Sequence, residues 1–104
     1  MNLRAPLLLA AGLLASSPAS PASSARLGDE ICAVLVTVYP EVERFDPQAA
    51  RQRLVAAINM KFRDDPAKLQ QVRASIDREA TASCRKEREG LMKIMQTLSL
   101  SDAF

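Results

Sequence analysis

Cys32 and Cys84 are the residues of this chain whose chemistry is easiest to read. A dithiol redox centre needs a Cys-x-x-Cys turn whose surroundings lower one thiol's pKa. A structural zinc site needs four Cys or His ligands, and the chain has two cysteines and no histidine. Neither arrangement fits. The reading that remains is a disulfide between Cys32 and Cys84, which requires an oxidising compartment. Closing a loop of about fifty residues is worth roughly 4 kcal/mol in the chain-entropy view.

The missing histidine excludes more than zinc. No Ser-His-Asp or Cys-His nucleophile pair can be built without it. The carboxylates offer little in its place. Asp64-Asp65, the Glu41/Glu43 pair and Asp77 with Glu79 are one or two positions apart, so they do not face each other on a helix. Asp65 is also placed to cap a helix, and Asp77 and Glu79 read as an exposed helical face. The glycines, Gly12, Gly28 and Gly90, form no phosphate-binding loop, and no run of oxygen ligands surrounds one to hold calcium. The sequence therefore predicts no catalytic residue, no metal site and no cofactor: the chain is expected not to be an enzyme.

Charge points away from nucleic acid. Fourteen basic residues face 12 acidic ones, a formal net charge of +2. The signs are interleaved, as in Arg85-Lys86-Glu87-Arg88-Glu89. A nucleic-acid binder shows a basic stripe in clear excess. The mixed pattern here is that of a solvated helical face.

The N-terminus reads as a secretory leader. Met1-Asn2-Leu3-Arg4 is a short positive region, 5–15 is an apolar run and 16–25 is rich in Ser, Ala and Pro. The apolar run is well short of the roughly twenty residues that cross a bilayer, so no permanent membrane anchor is expected. Ser23 and Ala25 supply the small side chains a signal peptidase requires, which places the cut before Arg26. No cysteine lies near it for lipid attachment. Residues 1–25 are thus the expected signal peptide, 26–98 a helical domain and 99–104 a flexible polar tail, in a periplasmic or secreted product of bacterial type.

The expected fold class is all-α: a small three- to four-helix domain closed by one disulfide, after a cleaved signal peptide. A domain of this size has a thin core and needs a staple. With only Tyr39, Phe45, Phe62 and Phe104 as aromatics, that core must be aliphatic. Ile31, Val34, Leu35, Val38 and Tyr39 fall at helical spacing after Asp29, a good N-cap. The segment is also rich in β-branched residues, so a strand is the alternative. Pro40 should end or bend a helix there. Asp46-Pro47 opens a second helix with the stripe Ala50, Leu54, Ala57, Ile58 and Phe62, and Asp65-Pro66 opens a third with Leu69, Val72, Ile76 and Ala80.

A fourth stripe follows: Leu91, Ile94, Met95 and Leu98, widened by Met92. A single helix from Pro66 to Leu98 would be about 50 Å long, too long for a compact domain about 30 Å across. The break falls either at Thr81-Ala82-Ser83, with Ser83 capping a helix from Cys84, or at Gly90. One long helix remains an alternative if two copies pair along it.

With no catalytic constellation, function is expected to lie in protein binding. Leu91, Met92, Ile94, Met95 and Leu98 are the candidate contact residues, because the stripe is wide for so small a core. In layout the chain resembles the periplasmic acid-stress chaperones of the HdeA type. Cys32 heads Ala33-Val34-Leu35-Val36, and Ala82-Ser83-Cys84-Arg85-Lys86 leads into Leu91-Met92-Lys93-Ile94, so the similarity covers most of residues 31–95. The resemblance implies an exported helical dimer that loosens in acid and holds unfolded clients. The alternatives are a dedicated binder of one protein, of the inhibitor or immunity type, and an envelope accessory protein.

Overall fold

The computed structural model describes residues 19–104, with side chains from Arg26 onward. The charged and apolar parts of the expected leader, and the side chains of its cleavage region, lie outside the described residues. Four α-helices follow one another: α1 (Ala19–Val42), α2 (Pro47–Lys61), α3 (Pro66–Ser83) and α4 (Arg85–Met95), with a closing 3-10 turn at Leu100–Ala103. No strand occurs among the described residues. The fold is all-α and closed by one disulfide, as the sequence predicts.

In α1 the helical spacing prevails over the β-branched composition. Ile31, Val34, Leu35, Val38 and Val42 form one buried stripe, which only a helix can deliver to a single core. This helix starts before its expected cap at Asp29 and does not end at Pro40. It runs through Gly28 and Asp29, so Asp29 does not cap it, and it continues past Pro40 to Val42. Pro40 removes the hydrogen bond to the Val36 carbonyl, but both residues lie on the solvent side, where water can replace it. Burial of Val42 rewards the extra turn. Gly28 is buried where α1 meets α3: a Cβ there would lie 3.0 Å from Glu79 Oε1 and 3.1 Å from Ser83 Oγ.

The two Asp-Pro starts behave as the sequence predicts. Asp46 accepts from the Ala49 amide at 2.9 Å and Asp65 from the Lys68 amide at 3.0 Å, with Pro47 and Pro66 opening the helices. Ala50, Leu54, Ile58 and Phe62 then face the core from α2, and Val72, Ile76 and Ala80 from α3.

The break between α3 and α4 falls at Cys84, one residue beyond the capping position expected for Ser83. Cys84 leaves helical torsions at φ −151° and makes no side-chain cap bond. Its sulfur is committed elsewhere, to Cys32, with the two Cα atoms 5.8 Å apart. The disulfide thus ties α1 to the corner where the chain reverses. Gly90 is not a break; it lies inside α4.

α1 packs against each of the other three helices, whereas α2 and α3 make few contacts with each other. The 3-10 turn fills the space that this leaves, touching α2, α3 and α4. Residues 99–104 are therefore not the frayed polar tail that their composition suggests. Leu100 is fully buried in the main core.

Candidate functional site

The five contact residues expected on α4 divide between core and surface. Leu91 and Met95 are completely buried and belong to the main core, which removes them as contacts for a partner. Met92 and Ile94 are half-buried and pack against that core. Leu98 alone is open, at 92% exposure. The apolar width of α4 is absorbed from within, because α4 packs against all three other helices and the closing turn. Cys32 and Cys84, the other pair expected, are joined.

Asp77 was expected on a solvated face and is instead a clasp. Its Oδ1 accepts from the Leu100 amide at 2.7 Å and from Arg88 Nε at 3.0 Å, and its Oδ2 accepts from the Ser101 amide at 3.1 Å. Arg88 Nη2 lies a further 3.0 Å from Oδ1. Partial burial by itself would raise the pKa of Asp77, but the amides of Leu100 and Ser101 and the Arg88 guanidinium outweigh it and hold the carboxyl below its ordinary value. One side chain on α3 thus secures both α4 and the closing turn. Glu79, also expected to be exposed, is buried over Gly28, with Arg78 Nη2 3.6 Å from its carboxylate.

Between the start of α1 and α3 lies a cleft of about 530 Å³. Four of its five charged lining residues form ion pairs within the chain: Lys68 Nζ is 2.9 Å from Glu30 Oε1, and Arg78 meets Glu79. The cleft is an ionic seam between helices.

The second concavity has a different chemistry. A groove of about 430 Å³ runs between α1 and α2, floored by Val34 and Val38 and walled by Ala33, Thr37, Ala57 and Met60. Thr37 donates its hydroxyl to the Ala33 carbonyl at 3.0 Å, so the groove gains no free donor from it. Met60 is 66% exposed and Val36, on the outer face of α1, 52%. The rim is cationic. Arg53 is held by Glu41 at 2.9 Å, while Lys61 has no ion-pair partner among the described residues.

Sequence reasoning missed this groove, although a signal was there. Residues 31–40 carry no charge at all. A helix that needs only one stripe for the core leaves the remaining uncharged positions, here Ala33, Val36 and Thr37, facing solvent.

Fold and surface together define a small, disulfide-closed all-α domain. No helix among the described residues is long and apolar enough to cross a membrane, and the buried disulfide suits an oxidising environment outside the cytoplasm. No family model, curated protein or solved structure matches this chain.

Proposed function

We propose that the chain is an exported binding protein that holds a single protein partner in the α1–α2 groove. The observation that carries this reading is the pairing of an uncharged floor with an unmatched Lys61 at the rim. Such a surface suits an amphipathic segment that lays apolar residues along Ala33, Thr37 and Met60 and brings a carboxylate to Lys61. The expected export signal and the disulfide support an encounter in the periplasm or outside the cell.

The acid-chaperone reading is kept as a second one because of Asp77. Protonation of that carboxyl would weaken the bonds that hold the closing turn, and Leu100 lies beneath it. Apolar surface would then become available in acid.

The experiment is affinity capture from periplasmic extract at pH 7 and near pH 3, comparing the native chain with Met60→Asp, Lys61→Glu and, as an exposed control outside the groove lining, Arg85→Glu. The expected result is one partner, retained by Arg85→Glu and lost with the two groove variants. Binding of many proteins near pH 3, unaffected by the groove variants, would replace this reading with the chaperone. Capture of no protein above background at either pH value would remove both readings.

A further inference from the structure

Residues 96–99 join α4 to the closing turn, and three of them in succession sit badly. Gln96 lies at φ 58°, ψ 47° and is the only non-glycine residue at positive φ among those described. A residue with a Cβ adopts that conformation only against steric resistance. Thr97 has a buried Oγ1 with no hydrogen-bond partner among the described residues. Leu98 is the most exposed large apolar side chain of the described structure.

The turn that this connector delivers sits well. Leu100 is fully buried, its amide and that of Ser101 donate to Asp77, and the Phe104 ring lies 5.9 Å from the Arg73 guanidinium. A short segment with good contacts, tethered by an ill-fitting connector, is the arrangement that favours exchange between copies.

We propose that two copies of the chain exchange residues 99–104, each Leu100 filling the other copy's slot between α2, α3 and α4. The contacts within the slot are the same in monomer and dimer, so the connector decides the balance. Opening it releases Gln96 from the left-handed region and frees Thr97 Oγ1 to find water. It also lets the two Leu98 side chains cover each other where the connectors cross. Once extended, four residues span about 14 Å, enough to reach a neighbouring slot.

The opposing effect is effective concentration. A short tether presents the segment to its own slot at a millimolar level. Relief of about tenfold at each of two connectors lowers the dimer's dissociation constant to the order of ten micromolar. This inference goes beyond the groove reading and does not depend on it.

Complementation tests the exchange. Leu100→Asp has a damaged segment and a sound slot; Asp77→Lys has a sound segment and a damaged slot. Each alone should be monomeric by native mass spectrometry at a concentration where the native chain is dimeric. Mixed, they should form a hetero pair, because the intact segment of one meets the intact slot of the other without a competitor. Gln96→Gly, which relaxes the closed connector without touching slot or segment, should weaken the native dimer about five- to thirtyfold, two connectors being relieved. A dimer that survives Leu100→Asp, a mixture without hetero pairs, or a native chain monomeric up to about 1 mM would overturn the proposal. So would a dimer indifferent to Gln96→Gly, which keeps the test decisive if either damaged variant fails to fold.

Discussion

The Tyr39 ring of α1 occupies the space where a side chain at Gly90 of α4 would begin. A Cβ built on Gly90 would fall 2.5 Å from Tyr39 Cε1, 2.6 Å from Cζ and 2.8 Å from Oη. Glycine is therefore required here by the close approach of two helices. Gly90→Ala should gain about 1 kcal/mol of helix propensity and lose about 1–3 kcal/mol to overpacking, leaving the protein less stable. In a Tyr39→Leu background the same change should become neutral or stabilising. Chemical denaturation of the four proteins checks this as a double-mutant cycle, and a rise in stability for Gly90→Ala alone would show that the ring swings aside freely.

Asp77 gives a pH dependence whose sign can be worked out. Its folded pKa lies below the ordinary 3.8, so the stability it contributes is present above that value and is lost as the pH falls through the folded pKa. Asp77→Asn should cost about 1–3 kcal/mol at pH 7, since Arg88 and two amides lose a charged acceptor. The gap between native and variant should close progressively below about pH 3.8. Urea unfolding of both proteins at neutral pH and in strong acid measures it. A gap independent of pH would mean that the charge of Asp77 contributes nothing.

The disulfide closes a sequence separation of 52 in a domain with a thin aliphatic core. Replacing Cys32 and Cys84 together by serine should lower stability by about 2–4 kcal/mol. Thermal unfolding with and without reductant gives the same comparison in the native chain. If reductant leaves the midpoint unchanged, the staple is not what limits unfolding.

Gln96→Gly should act in the opposite direction. Glycine accepts φ 58° without a Cβ penalty, though it adds entropy to the unfolded chain, so the monomer should gain about 0.5–1 kcal/mol. The measurement belongs at low protein concentration, where any dimer has dissociated. A loss of stability would mean that the Gln96 side chain makes a contact worth more than the backbone relief.

What could be read in the sequence was whatever is settled within a few residues. Asp46-Pro47 and Asp65-Pro66 mark helix starts because the cap and the first-turn proline act on neighbouring backbone. The stripes of α2 and α3 follow from helical spacing, and Cys32 could pair only with Cys84. The residues whose role depends on distant partners were not legible. Pro40 stays inside α1 because Val42 finds a place in the core. Leu91 and Met95 are core residues, closed to any partner, because α1, α2 and α3 all pack against α4. Gly90 is a seat for Tyr39, Asp77 a clasp for Leu100, and the last six residues a docked turn. Hydropathy and spacing report which side of a helix prefers to be dry; only the packing of four helices decides what dries it, and which uncharged surface, here the α1–α2 groove, is left uncovered.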